Sequence, residues 1–236
     1  MSKAPIVLAV DTSDLKTAIA WVAATRDSVS VYKLGLEFFL TFGIEGVRAV
    51  RGETDCDIFL DLKLHDIPHT VSGATKAIAH LAPKYLTVHA SGGSSMIRAA
   101  AKSAPQTLIT GVTVLTSLSD ADLVGIGFKE AALPTAVALA QLAIASGARA
   151  IVCSPLEIDA IRKAVGPQPI IITPGVRPSD STQSDDQVRT MTPAAAIALG
   201  ANLVVIGRPI TQSWEHGVQA MKDRAAQIAA QIINNE

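Results

Sequence analysis

Apolar, β-branched runs recur along the chain at 6–10, 29–34, 58–64, 85–90, 108–115, 150–154, 170–174 and 203–207. Between them lie Ala-rich segments of helical length at 14–26, 37–51, 71–81, 94–104, 132–146, 155–165, 192–199 and 214–234. Runs of the first kind predict strands and those of the second predict helices. Thr12 or Ser13, Thr70, Ser94 and Thr192 stand where N-caps are expected, and Gly147, Gly166 and Gly200 follow helical runs, where glycine commonly ends a helix. Eight strands alternating with eight helices predict an α/β chain folded as a (β/α)8 TIM barrel, one domain spanning 1–236. The alternative is an open doubly wound sheet. No Gly-x-Gly-x-x-Gly turn follows the first strand, which weakens a dinucleotide-binding version of it.

The third run is the unusual one. Leu60, Leu62 and Leu64 mark one face, while Phe59, Asp61, Lys63 and His65 take the other, which is the two-residue period of a strand. Asp61 and Lys63 therefore project the same way, roughly 7 Å apart at their Cα atoms. Asp66 follows where the strand should give way to a loop. Charged residues seldom sit on a buried strand without a partner or a task.

In barrels of this kind the chemistry sits at the C-terminal strand ends. Those ends carry Asp11, Lys33, Asp61 with Lys63, His89, Thr113 with Thr116, Ser154, Gly175 with Arg177, and Gly207 with Arg208. Parity supports the first of these, since Val7, Ala9 and Asp11 share a face, as do Val31 and Lys33. Each charge alone could be a structural ion pair; four delivered to one mouth point to an active site. Thr-Pro-Gly-Val-Arg-Pro at 173–178 and Ile-Gly-Arg-Pro at 206–209 follow the last two strands, where such barrels often bind phosphate through backbone N–H groups. Arg208 would add a charge-assisted contact. The polar stretch between Arg177 and Met191 is long for a compact domain and reads as a lid over that site.

Composition narrows the options. Hydrophobic residues are 49% of the 236 and aromatics 4%, so a large core must rest on Ala, Val, Ile and Leu. A formal net charge of -1 gives no electrostatic case for nucleic acid or an acidic membrane surface. Cys56 and Cys153 make neither a metal motif nor a disulfide framework and read as reduced thiols of a cytoplasmic protein. The N-terminus runs straight into a strand and is no signal peptide. Charge-free stretches at 131–148 and 190–207 are broken by Pro or Gly and suit buried helix and strand better than a membrane span. His65, His69 and His89 have no zinc-site spacing. Ser91-Gly-Gly-Ser-Ser95 reads as a helix start, and Trp21 and Trp214 as packing residues.

Asp61-x-Lys63-x-x-Asp66-Ile-Pro-x-Thr70, with Asp11, Lys33, the Thr-Pro-Gly-x-Arg-Pro segment and Ile-Gly-Arg, resembles the orotidine 5'-phosphate decarboxylase family over essentially the whole chain. The resemblance implies formation of uridine 5'-phosphate and carbon dioxide from orotidine 5'-phosphate, the last step of de novo UMP biosynthesis. It implies no metal, no organic cofactor, and a homodimer with shared active sites. Carried over residue by residue, Lys33, Asp61, Lys63 and Asp66 form a charged network, with Lys63 the proton donor to the C6 carbanion and Asp66 reaching the neighbouring subunit's site. Asp11 and Lys33 would hold the ribose hydroxyls, and Thr70 would approach from the partner chain. Thr116 and Gln187 would contact the pyrimidine or the lid, while Pro174, Arg177, Gly207 and Arg208 would line the substrate and phosphate site. The interval from Arg177 to Gln187 is slightly longer than the family pattern, which leaves Gln183 as the alternative lid contact. The short Asp-x-Lys-x-x-Asp element also occurs in sugar-phosphate decarboxylases and synthases that need a divalent metal. Against that reading stand His65-Asp66-Ile67-Pro68 and the pair Arg177 and Arg208. A Schiff-base aldolase using Lys63 and a ligand-binding barrel without catalysis are further alternatives.

Overall fold

A computed structural model describes residues 3–178 and 191–234. Within them, eight parallel strands close into a barrel in chain order. They are β1 (Ala4–Ala9), β2 (Val29–Gly35), β3 (Asp57–Leu64), β4 (Tyr85–His89), β5 (Leu108–Val112), β6 (Ala150–Val152), β7 (Ile170–Thr173) and β8 (Leu203–Ile206). The helices are α1 (Leu15–Thr25), α2 (Leu36–Gly52), α3 (Pro68–Ala79), α4 (Gly93–Ser103), α5 (Asp120–Gly125), α6 (Ala132–Ala145), α7 (Ile158–Val165), α8 (Pro193–Ala198), α9 (Arg208–Thr211) and α10 (Val218–Ile233). Pairing of Val7 with Val205 joins β1 to β8 and decides for the closed barrel over the open sheet.

Each strand buries both faces. Val7, Val31, Phe59, Tyr85, Ala150, Ile172 and Leu203 fill the interior, with the Phe59 and Tyr85 rings 5.6 Å apart. The alternate positions, such as Ile58, Leu60 and Leu62 on β3, face outward into the layer shared with the helices. A buried side chain of this size contributes about 1.5–3 kcal/mol, so the barrel is packed as a core and not as a pore. The charge-free stretch at 131–148 is α6, whose Ala136, Ala140 and Ala143 are fully buried. It lies so close to β5 that a Cβ on Gly111 would stand 2.7 Å from Ala143 Cβ. None of the described helices is long and apolar enough to cross a membrane. Trp21 and Trp214 pack, partly buried, against the outer core.

Several boundaries differ from the sequence expectation. The N-cap of α1 is Asp14, whose two oxygens accept from the Lys16 and Thr17 N–H groups at 3.2 Å each, a double capture that Thr12 or Ser13 could not make. Helix α3 starts at Pro68, preset for the first helical position, which places Thr70 inside the first turn. Likewise α4 starts at Gly93, so Ser94 is helical and caps nothing. Thr192 does cap α8, accepting from Ala195 N–H. Strand β5 stops at Val112, and the chain that follows turns to line the barrel mouth. Short α5 and α9 leave no trace in the hydrophobic pattern, because a helix of one or two turns shows no apolar period.

Candidate active site

Parallel register brings the inward ends of the strands to one level. Ala9 pairs with Lys33, and Gly35 with Asp61. Lys33 and Asp61 thus reach the same mouth from adjacent strands, and Asp11 joins them two residues beyond the end of β1. Lys63 Nζ lies 2.8 and 2.9 Å from the two Asp61 carboxylate oxygens. Lys33 Nζ stands 3.7 Å from Asp61 and 3.2 Å from Asp11. The chain of charges therefore runs Asp11, Lys33, Asp61, Lys63. Asp61 and Lys33 are each 13% exposed at the side chain, and Lys63 is 30% exposed.

Burial pushes the Asp61 carboxyl upward, but the charges of Lys33 and Lys63 and the hydrogen bonds from Lys63 and Thr87 outweigh it. The carboxyl ends below the ordinary aspartate range, so Asp61 is an anion at neutral pH. His89, inward on β4, is held below the usual histidine value by burial and by nearby His65 and Lys63, with Asp61 opposing. Its ring packs 5.4 Å from that of His65. The Cys153 thiol is pushed up to about 12 by burial and by Glu157, so it stays protonated. Both cysteines are free and buried.

The strand that carries the pair is irregular. Leu60 pairs with Leu86 and Leu64 with Val88, so Asp61, Leu62 and Lys63 stand opposite the single residue Thr87. Lys63 takes a left-handed backbone, φ 47°. Such a conformation costs a non-glycine residue about 1 kcal/mol or more. Neither the bulge nor the strained φ follows from strict alternation, although alternation puts Asp61 and Lys63 on the same side.

A cavity of about 310 Å³ opens over these residues. Asp11, Lys33, Asp61 and Lys63 form one wall, and Thr116, Pro174, Gly175, Arg177, Gly207 and Arg208 stand on the others. Gly175 has φ 79°, a conformation for which glycine is suited. Arg177 N–H donates to Met191 O at 2.9 Å, and Val176 bridges to Met191, so the two flanks of the expected lid are tied together. Gln187 and Gln183 lie outside the described residues. Among the described residues no three His, Cys, Asp or Glu side chains are placed to hold a metal ion.

Two of the expected residues are not in this cavity. Asp66 is exposed and its carboxylate accepts from the adjacent Ile67 N–H at 2.6 Å. Thr70 is exposed on α3. Sequence reasoning also missed the apolar wall of Val112, Val114 and Leu115, and Thr87. The inward alternation of Tyr85, Thr87 and His89 was the available signal for Thr87.

The family model described as "Orotidine 5'-phosphate decarboxylase / HUMPS family" matches residues 4–223. The chain belongs to that family. It is 52% identical over 217 residues to the orotidine 5'-phosphate decarboxylase of Thermobifida fusca (strain YX), covering 92% of this chain and 93% of the relative. A relative of the same name from Frankia casuarinae is 44% identical, with 97% of this chain and 89% of the relative covered. The crystal structure of orotidine 5'-phosphate decarboxylase from Lactobacillus acidophilus superposes with a TM-score of 0.80 at 30% identity, covering 96% of this chain and 99% of that one. Membership in the orotidine 5'-phosphate decarboxylase / HUMPS family accords with a barrel mouth that pairs lysines with aspartates on one side and carries two arginines on another.

Proposed function

We propose that the chain decarboxylates orotidine 5'-phosphate to uridine 5'-phosphate and carbon dioxide with no metal or organic cofactor. The observation that carries this reading is the Lys63 ammonium, clamped by Asp61 inside a cavity that also presents Arg177 and Arg208. Loss of carbon dioxide leaves the bonding electron pair on C6 of the pyrimidine, with no cofactor to accept it. An ammonium beside that carbon stabilises the developing charge and then supplies its proton; the neutral amine regains a proton from solvent. Asp61 near the substrate carboxylate repels it, by about 4 kcal/mol at ~4 Å with an effective dielectric of ~20. Contacts to the distant phosphate, from Arg177, Arg208, Gly175 and Gly207, can hold this unfavourable arrangement in place.

In this reading Asp11 and Lys33 hold the ribose hydroxyls, Thr116 and Pro174 border the base, and Gln187 or Gln183 closes over the ligand. Asp66 and Thr70 serve the site of a neighbouring copy in a homodimer. Their exposure supports that placement, as does Ile67 between them, an apolar side chain 65% exposed. Ultraviolet monitoring of orotidine 5'-phosphate loss in the presence of chelator tests the proposal. Undiminished turnover is expected. Loss of activity on chelation would transfer the chain to the metal-dependent sugar-phosphate branch.

A further inference from the structure

Thr87 is fully buried on β4 and does not line the cavity. Its hydroxyl donates to Asp61 Oδ1 at 3.0 Å and accepts from the Lys63 backbone N–H at 2.8 Å. A threonine hydroxyl has one donor hydrogen and accepting lone pairs, so both bonds form together. The place of these bonds matters more than their number. Three residues of β3 face one residue of β4 here, which leaves the ladder no regular partner for Lys63 N–H. The Thr87 hydroxyl stands in for that partner, at the one residue of the strand whose φ is positive.

We propose that Thr87 is the positioning residue of the active site, fixing both the backbone from which Lys63 projects and the carboxylate that clamps the Lys63 ammonium. It touches no reacting atom. It acts by holding two groups that do, and the proposal rests on the decarboxylase reading given above for what those groups accomplish. Displacement of a reacting group by about 1 Å can cost on the order of a hundredfold in rate. Removal of the hydroxyl should therefore appear in kcat and not in nucleotide affinity.

Thr87→Val keeps the shape and removes both bonds, while Thr87→Ser keeps the bonds and removes a methyl group. The expected result is a fall in kcat of about ten- to a hundredfold for Thr87→Val, with KM little changed, and recovery of most of the rate in Thr87→Ser. A second readout does not depend on turnover. The Asp61 carboxyl, followed by carbon-13 NMR in the ligand-free protein, should titrate at higher pH in Thr87→Val than in wild type. In Thr87→Ser it should stay in place. The other charges facing Asp61 are unchanged in both variants: Lys33 from β2 with Asp11 beyond it, Lys63 from β3 itself, and His89 from β4.

An unmoved Asp61 titration, or equal rate losses in the two variants, overturns the positioning role. So does wild-type kcat in Thr87→Val. If Thr87→Val does not fold, the serine variant decides, because a rate loss there as deep as that of Lys63→Ala contradicts the proposal. Absence of decarboxylation by the wild-type protein would refute the proposed reaction instead, and the titration would still judge Thr87.

Discussion

The two ends of this barrel both concentrate cations, and they use them in opposite ways. At the N-terminal end, three arginines are directed at backbone carbonyls. Arg162 reaches Gly166 O, Pro169 O and Gly200 O and also the Asn202 side chain, at 2.7 to 3.3 Å. Arg149 holds Pro105 O and Thr107 O, and Arg51 holds Leu81 O and Ala82 O. The guanidinium fork suits this task, because several donors in fixed geometry satisfy carbonyls left over where helices end and strands begin. At the C-terminal end, two lysines converge on Asp61 in a bulged strand with one residue in a left-handed conformation. One end ties loops together; the other holds charge and strain at the mouth of a cavity. The difference shows that charge density alone does not mark a functional site. What the cation faces does.

The largest expected contrast comes from Lys63→Ala. It should lower kcat by at least ~10³-fold, in the upper part of the ~10²–10⁴-fold range of a single acid or base, because both the stabilising charge and the proton are lost. Uridine 5'-phosphate should still bind, as measured by calorimetry, and thermal stability should change little, since alanine keeps the same left-handed backbone at this position and Lys33 remains beside Asp61. A rate within tenfold of wild type would put the chemistry elsewhere. Arg162→Met should do the reverse. Loss of its carbonyl contacts should cost about 2–4 kcal/mol in denaturant unfolding, judged by ~1.5–3 kcal/mol for a bond to a charged group. The activity of the folded fraction should persist. A variant of full stability with impaired kcat would erase the distinction between the two ends.

The smallest effect is in the pH response. Asp61 has its carboxyl lowered in the folded state, so it contributes stability that is complete above the unfolded value of ~3.9 and is lost as pH falls through the lower folded value. Lys33→Met removes one of the charges that lower it. The acid limb of kcat/KM should then move to higher pH. An acid limb that stays fixed would show that Asp61 is held by Lys63 and Thr87 without help from Lys33.

Most of the barrel was legible in sequence because alternation on β1 to β4 follows from inside-outside packing, a constraint that each strand obeys alone. The inward charges Asp11, Lys33, Asp61 and Lys63 were found by that parity and by their positions at strand ends. The bulge opposite Thr87 was not, because it arises from the register between two strands and leaves no mark in either. Asp66 and Thr70 carry a recognisable motif, and they stand exposed outside the cavity, where strand parity gives no account of them. Helix α5 announced itself only by a capping box, Ser119 with Asp122, which a search for apolar periods passes over. The wall of Val112, Val114 and Leu115 looks in sequence like the continuation of a strand, since apolar residues that line a pocket resemble apolar residues that fill a core.

Phe59 belongs both to the packed interior and to the lining of the cavity, and Tyr85 closes the space behind it. The cavity is therefore a cup with a solid floor. Whatever enters past the arginines must leave by the same opening, so arrival and departure compete for one aperture. On the proposed decarboxylase reading, the product nucleotide occupies the site that the next substrate must enter, so in steady state it should act as a competitive inhibitor.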